Sequence, residues 1–499
     1  MSSPDTNPIV KHNFVIVVPV ADRPRQLADC LDSLLELRRT FGAGEGRIRV
    51  LIADDSADPA SVAAHRALAS HYSRLGIPVA HFGPDEQFDL AASAGSSLSR
   101  IVGQPSRLGH KGQGVARNLA YLKLAREGLT DDTLVWSIDS DQEFRVKVAT
   151  PEGDREPFAV DYFRRLDEIF TQTDALVLTG KVVGDPPVSP AVMAGNFLDD
   201  VAGFIRQMGD GPCRHHGGEA HGAGEPAYHD MADLFGFKPA AEPFRYRCPL
   251  PGDHTEADCL DHFAERLSGF FYGEHPTRVS YHQGDDDAPK PARTVYAGNY
   301  VFRPDALKYF IPFSTLRLRM SGPTLGRIVR AEIGDRFVSA NLPMLHRRTA
   351  RDMNRSEFRP GVAESDAAID ISDEFERQFH GDVMLFSVER GALSRPETID
   401  DVRAEMLARY NDRRAALTEK LARLDALIGS RGWPPATLAR LGAFRDNIER
   451  NFGPASPALA RINAEEHWRR WRAGLLDALR HYPGDRRAWD STTCSPTSA

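Results

Sequence analysis

The chain is poor in cysteine, with five in 499 residues, too few to form the disulfide framework that carries small secreted folds. It also lacks an excess of basic charge. Lys and Arg number 62 against 70 Asp and Glu, a formal net charge of −8, so no global field holds a polyanion and nucleic acid is disfavoured as a partner. Long apolar runs are missing too. The longest early one, residues 14–20, falls far short of the roughly 20 residues of a membrane span. It has no Lys/Arg-flanked h-region and no small-residue cleavage site of a leader. No unit of repeat-protein length recurs along the chain. These absences predict a cytoplasmic chain without a transmembrane segment. At 41% hydrophobic and 26% charged residues the composition is that of a globular protein, long enough for about two to four domains.

What is present alternates. Residues 14–20 (FVIVVPV) are β-branched and nearly all apolar, which predicts a strand covered on both faces. Leu27, Cys30, Leu31, Leu34 and Leu35 then recur at helical spacing until the glycines at 42, 44 and 46 stop the helix. The same reading places strands at 48–53, 77–82 and 134–138 and helices at 62–72 and 115–126. That rhythm predicts an α/β chain with a mostly parallel sheet flanked by helices. From about 184 to 290 the chain turns rich in Gly, Pro, His and Asp, with helical patches only at 197–208 and 256–271. Strand patterning returns at 294–302 and 336–346. Beyond about 360 the pattern is helical. Leu417, Leu421, Leu424, Leu427 and Ile428 form one apolar stripe, and Trp468, Trp471, Leu475, Leu476 and Leu479 form another; both predict packing seams.

The most informative segment is VWSIDSDQEF, residues 135–144. A buried strand ends in Asp139, Ser140 and Asp141, and the two-residue period puts both carboxylates on one side. Paired carboxylates are hard oxygen ligands for Mg²⁺ or Mn²⁺, which can neutralise a diphosphate. The crevice beyond strand carboxyl ends is where open α/β sheets bind ligands. Asp54 and Asp55 end the second strand and can accept hydrogen bonds from a nucleobase or ribose. Between the two acidic sites lies RLGHKGQGVARNLA, residues 107–120, whose glycines free the backbone to approach a ligand before a helix N-terminus. Arg117 and Asn118 open that helix and could orient the acidic residues or meet phosphate.

In order and spacing, VVPVADRPRQLADCLDSLL (17–35), LIADDSAD (51–58), GQGVARNLA (112–120) and VWSIDSD (135–141) resemble the family 2 glycosyltransferases and their relatives with the GT-A fold. The resemblance implies a Rossmann-like mixed sheet flanked by helices, a nucleotide-sugar donor and Mn²⁺ or Mg²⁺. It implies donor contacts from Pro19, Val20, Asp22, Arg23, Asp54, Asp55, Arg117, Asn118, Asp139 and Ser140, with Asp139 and Asp141 on the metal. YAGNYVFRPDAL (296–307) resembles the acceptor-side loop, with Gly298 and Asn299 at the turn and Arg303 as its basic residue. MSGPTLGRIVRAEIGDRFVSANLPMLHRR (320–348) resembles the late helix, strand and closing histidine, which implies that His346 is a third metal ligand or a diphosphate contact.

One departure bears on mechanism. Inverting members carry an acidic base just before that helix, where this chain has Ser321 and Gly322. Glu332 and Asp335 are the nearest carboxylates and the candidate base, and stereochemistry stays open. The implied organisation is a nucleotide-sugar-binding half (1–183), an irregular acceptor-side insert (184–290), the remainder of the GT-A core (291–360), a helical C-terminal region (361–490) and a disordered tail (491–499). The C-terminal helices are the expected seam of a homodimer; the acceptor is a small molecule, glycan or lipid-linked sugar. A sugar-1-phosphate nucleotidyltransferase is the alternative enzyme, disfavoured because residues 19–22 (PVAD) lack that class's glycine-rich loop. A non-catalytic nucleotide-binding relative is the other alternative. The insert gathers Cys213, His215, His216, His221, His229, Cys248, His254, Cys259 and His262. With no C-x₂-C pair and no recognised zinc spacing, loop or surface histidines are the favoured reading there.

Overall fold

The computed structural model describes residues 10–42, 46–107, 109–150, 153–209, 211–214, 246, 248–282, 284, 288–350, 357–366 and 368–493. Its centre is a nine-stranded mixed sheet. The strands are β1 (Asn13–Val20), β2 (Ile48–Asp54), β3 (Val79–Phe82), β4 (Thr133–Ile138), β5 (Gln142–Glu143), β6 (Val177–Gly184), β7 (Lys290–Pro291), β8 (Asn299–Phe302) and β9 (Phe337–His346). They lie in the order β3-β2-β1-β4-β8-β6-β9-β5, with β7 also on β9. Strands β1 to β4 run parallel, Val17 standing opposite both Leu51 and Ser137. Strand β8 is inserted antiparallel, with Tyr300 opposite Ser137 on one side and Thr179 on the other. This is the expected α/β class, a Rossmann-like mixed sheet flanked by helices.

The pleat sorts β1 between two apolar layers. Phe14, Ile16 and Val18 pack with Leu27, Leu31 and Leu34 of α1 (Pro24–Phe41) and with Phe163 and Leu166 of α5 (Tyr162–Gln172). Val15 and Val17 face the other layer, with Leu119 and Tyr121 of α4 (Gln113–Glu127). Local chemistry sets the helix ends. Pro24 opens α1, and Gly42 closes it in the left-handed region, its N–H on the Arg38 carbonyl, as glycine favours. In α2 (Pro59–Arg74) the Asp58 carboxylate accepts from the N–H groups of Ala60 and Ser61, satisfying two of the first-turn donors.

Some elements differ from the sequence reading. Helix α3 (Pro84–Ala94) occupies a stretch that reads as polar connection; Pro84 at its first position and Asp85 and Glu86 in its first turn were its local signals. Strand β8 starts only at Asn299, because residues 294–298 lie against the glycines of α8 (Ser321–Ile333). A Cβ on Gly326 would stand 2.5 Å from the Val295 nitrogen and 2.6 Å from the Arg293 carbonyl oxygen. The patch at 197–208 belongs to α6 (Pro190–Gln207), and 256–271 divides into α7 (Glu256–Glu265) and the 3₁₀ turn Leu267–Tyr272.

The C-terminal region consists of α9 (Ser372–Glu389), α10 (Thr398–Gly429), α11 (Pro435–Phe452), α12 (Pro457–Asn463) and α13 (Glu465–Thr493). Its two stripes are spent within the chain. Leu421, Leu424, Trp468, Leu475 and Leu479 are buried in the layer that holds Val17 and Phe302. Lys420 of α10 donates to the Gly195 carbonyl and meets Asp199 on α6, and the Trp489 indole of α13 donates to Leu307. Helix α13 continues through Ser491 to Thr493, and residues 494–499 of the expected tail lie outside the described residues. So do His215, His216, His221 and His229. Among the described residues no helix is long and apolar enough to cross a membrane.

Candidate functional site

The parallel strands deliver their carboxyl ends to one edge of the sheet, and the acidic residues of the sequence motifs meet there. Pro19 and Val20 pair with Ala53 and Asp54, bringing the loops after β1 and β2 side by side. Asp55 turns toward the glycine-rich loop, accepting from the backbone N–H of Lys111 and Gly112, both at 2.7 Å. Gly112 has φ 100°, a conformation glycine adopts at no steric cost. His110 joins both loops, its Nδ1 on the Asp55 carbonyl and its Nε2 3.1 Å from Asp22. Asp22 also accepts from the N–H groups of Ala57 and Asp58.

Asp54 is fully buried, with His81 Nε2 at 2.8 Å and His65 Nδ1 at 3.1 Å from one oxygen and the Ser56 N–H on the other. Burial alone would raise its pKa. Hydrogen bonds from the two histidines overcome burial and hold it well below the ordinary carboxylate range. Asp54 is therefore engaged on both oxygens, and Asp55 faces the glycine-rich loop.

Asp139 and Asp141 follow β4 and hold different environments. Asp139 is about a fifth exposed and receives the Arg117 guanidinium, which also donates to Ser137 at 3.0 Å. Its second oxygen lies against Gly298, where a Cβ would stand 2.5 Å away; glycine there makes room for the carboxylate. Asp141 is buried, and its Oδ2 accepts from Arg23 at 3.1 Å with Arg348 at 3.6 Å. Its Oδ1 has no hydrogen-bond partner and lies 3.6 Å from His346 Nε2. The other imidazole nitrogen of His346 contacts the Asp185 carbonyl at 2.7 Å, which fixes Nδ1 as the protonated nitrogen and leaves the Nε2 lone pair facing Asp141. Burial would raise Asp141, but the charge of His346 when its Nε2 is also protonated, and those of Arg23 and Arg348, bring its pKa well below the usual value.

A group of arginines that the sequence reading passed over extends outward from Asp141, beginning with Arg348. Arg348 donates to Pro186, while Arg359 lies 3.9 Å from Glu374, itself bonded to Arg319. Arg348 Nε and Arg359 Nε and Nη2 are buried with no hydrogen-bond partner, and burial pushes the pKa of both guanidiniums down. The segment before Arg359 crosses the mouth of the crevice. Glu357 accepts from the N–H groups of Arg25 and Gln26 at the start of α1. Phe358 stacks on His110 with ring centroids 4.4 Å apart, and its carbonyl accepts from Arg23. Single arginines in an R-R-x or F-R-P context carry no local signal; only the fold brings them to Asp141.

Other expected residues do not reach this edge. Asn118 donates to the carbonyls of Ile101 and Ile311 and accepts from the Ile311 N–H, so it ties α4 to a neighbouring loop. Asn299 spends its amide on Lys181, Leu342 and the Trp136 indole within the sheet. Arg303 follows Phe302, which pairs with Val135 and Val177 near the starts of β4 and β6. It binds the Phe170 and Ala175 carbonyls there, at the opposite end from Asp139. Asp335 precedes β9 and His346 ends it, which separates them by roughly 30 Å of extended chain. Asp335 pairs with Arg330 and Glu332 with Arg486, toward α13. Ser140 is buried between the two aspartates.

A carboxyl does lie nearer. Glu274 follows Gly273, whose Cβ position is 2.8 Å from Arg359 Nη2 and 3.2 Å from Arg348 Nε. Burial first, and then the charge of Asp185, push the Glu274 pKa up to about 7.

No family model matches the chain, and no curated protein matches it. Solved structures similar in fold include the mannosyltransferase PcManGT from Pyrobaculum calidifontis in complex with GDP-Man and Mn²⁺ (11% identity, TM-score 0.36, covering 96% of this chain and 89% of that one). TarS 1-349 of S. aureus is another (12%, 0.31, covering 94% and 91%), and mouse xyloside xylosyltransferase 1 in its apo form a third (12%, 0.24, covering 65% and 77%). Likeness at these levels fixes neither activity nor ligand.

Proposed function

We propose that the protein is a glycosyltransferase that moves a sugar from a nucleoside-diphosphate donor to an acceptor hydroxyl, with a divalent metal at Asp139, Asp141 and His346. The observation that carries this reading is the unpaired Asp141 Oδ1 opposite the unprotonated face of His346, at the carboxyl edge where open α/β sheets bind ligands. Two oxygens and an imidazole suit Mn²⁺ or Mg²⁺. Such an ion, when bound, stabilises negative charge on a leaving diphosphate.

The chain's own residues supply the rest. Arg117 fixes the Asp139 carboxylate, and Arg23, Arg348 and Arg359 offer guanidinium charge to phosphate oxygens. Asp22, Asp55 and His110 line the side where the nucleoside lies, and entry of the donor displaces Phe358 from His110. Glu274 replaces Glu332 and Asp335 as the candidate base for the acceptor proton. Its ionised form is the active one, so kcat/KM should fall as pH drops below about 7. In Glu274→Gln that acidic limb should vanish together with most of the rate, typically 10²–10⁴-fold for a general base. A full rate with the same pH profile in the variant would remove Glu274 from the mechanism.

The reading as a whole is tested by thermal stability with UDP-, GDP-, ADP-, CDP- and dTDP-sugars, with and without Mn²⁺. A donor at about 100 times its Kd should stabilise the fold by about 2.7 kcal/mol, with one nucleotide preferred and the shift larger with metal. The absence of a shift with every donor would overturn the assignment.

A further inference from the structure

The insert contains a second cluster, built from softer ligands than the aspartates of β4. Cys213, Cys248, His254 and Cys259 bring one ligand atom each to within 4.8 Å of all the others. Cys259 Sγ is 3.2 Å from Cys213 Sγ and 3.4 Å from Cys248 Sγ, and Cys248 Sγ is 3.0 Å from His254 Nε2. A zinc tetrahedron of three sulfurs and one nitrogen has edges of roughly 3.5–3.8 Å, from its metal–ligand bond lengths. We propose that these four residues form a closed Cys₃His zinc site that anchors the insert.

The local structure is arranged for it. His254 Nδ1 lies 2.8 Å from the Gly252 carbonyl; donating its proton there leaves the Nε2 lone pair directed at the thiols, the second-shell pattern of zinc-bound imidazoles. Gly252, with φ 73°, turns the chain so that Cys248 and His254 face one another across a loop carrying Pro249 and Pro251. Thr255 begins α7 with a reciprocal capping box to Asp258, which places Cys259 one turn in, on the side of the cluster. Cys213 is held beside His254 by backbone bonds on both flanks, its own N–H on the His254 carbonyl and the Glu256 N–H on Gly211. Phe204, Tyr246 and Phe263 pack together nearby, with Phe204 4.8 Å from Tyr246 and 4.4 Å from Phe263 between ring centroids.

Burial raises the pKa of the Cys248 and Cys259 thiols, and at Cys259 the two neighbouring thiols raise it further. A divalent ion removes that conflict: Zn²⁺ binds and the three thiols release their protons to water as they become thiolates. Sulfur and imidazole select zinc over Mg²⁺ or Mn²⁺, so the two metal sites of the chain sort by ligand hardness. All four positions come from protein, which makes the site structural. Cys213 and Cys248 flank the chain segment 214–247, and joining them at one ion holds both ends of that segment together.

The test uses the full chain purified without chelator. Elemental analysis should find about one zinc per chain, and replacement by Co²⁺ should give thiolate-to-cobalt charge transfer with the ligand-field bands of a tetrahedral site. In Cys248→Ser, Cys259→Ser and His254→Ala, zinc affinity should fall by at least about tenfold. Cys30→Ala, at a buried thiol on the inner face of α1, should keep its zinc. Should the cysteine variants fail to fold, the wild-type zinc content and cobalt spectrum decide alone. Absence of zinc, a Cys213–Cys259 disulfide in non-reducing peptide maps, or zinc retained undiminished by the folded variants would each overturn the proposal.

Discussion

Asp141→Asn is expected to lower sugar transfer by about 10²–10³-fold, the range seen when one preorganised charge-stabilising group is lost, and to remove the manganese dependence of donor binding. The substitution keeps the side-chain shape, so packing around residue 141 is retained. What is lost is the negative charge on which the Arg23 and Arg348 guanidiniums converge, with His346 beside it. Asp141 Oδ2 would become either an amide oxygen or an amide nitrogen facing Arg23, and the latter repels the guanidinium. Oδ1, the oxygen turned toward His346 with no partner, would no longer present a carboxylate to a metal. Stability should respond in a definite direction. Because Asp141 is held below its ordinary pKa, the wild-type carboxylate contributes stability above its unfolded pKa, and that contribution fades as pH falls through the folded value. The asparagine variant should show a shallower acid transition than wild type between about pH 5 and 2. Donor turnover, manganese titration and acid denaturation of the purified variant measure these effects. Unchanged turnover together with unchanged metal dependence would sink the site assignment.

The features legible in the sequence share one property: they are local. The run at 14–20, the Leu stripe of α1, the carboxylates ending β2 and β4 and the glycine-rich loop each carry their signal within a few residues. Alternation and strand ends then place them on one edge without further information. What was not legible depends on pairing between distant strands. The antiparallel insertion of β8 between β4 and β6 sends Arg303 to the far end of the sheet and draws Asn299 into its interior. The ten-residue length of β9 likewise separates Asp335 from His346, at opposite ends of one strand. Asn118 sits in a motif position, yet the loop around Ile311 claims all its polar atoms. Arg348, Arg359 and Glu274 carry no pattern at all; tertiary folding alone brings Arg348 to Asp141 and Arg359 and Glu274 up to Arg348 around Gly273. The Cys/His concentration of the insert was visible, but its spacing matched no zinc pattern because Cys213 joins its partners across the long segment that ends at Cys248.

Arg117→Met should cost about 2–3 kcal/mol of folding stability, toward the low end for a broken buried pair because Asp139 keeps some solvent. The guanidinium is buried under α4, and burial opposes its charge; the neighbouring Asp139 carboxylate more than offsets that and keeps its pKa raised. Methionine fills a similar volume but supplies no charge and no donor, leaving Ser137 Oγ and Asp139 without the bonds that Arg117 gives them. The Asp139 carboxylate would lose its fixed orientation toward the crevice. Metal and donor affinity should therefore fall in parallel with stability. A double-mutant cycle separates a specific pair from general loss of packing. If the pair is responsible, Arg117→Met combined with Asp139→Asn should be less damaging than the sum of the single changes by at least about 1 kcal/mol. The measurement is denaturant unfolding of the four proteins in the absence of metal. Additive effects would show that Arg117 serves the core through its volume alone, and that the carboxylate edge of β4 is held by something other than this guanidinium.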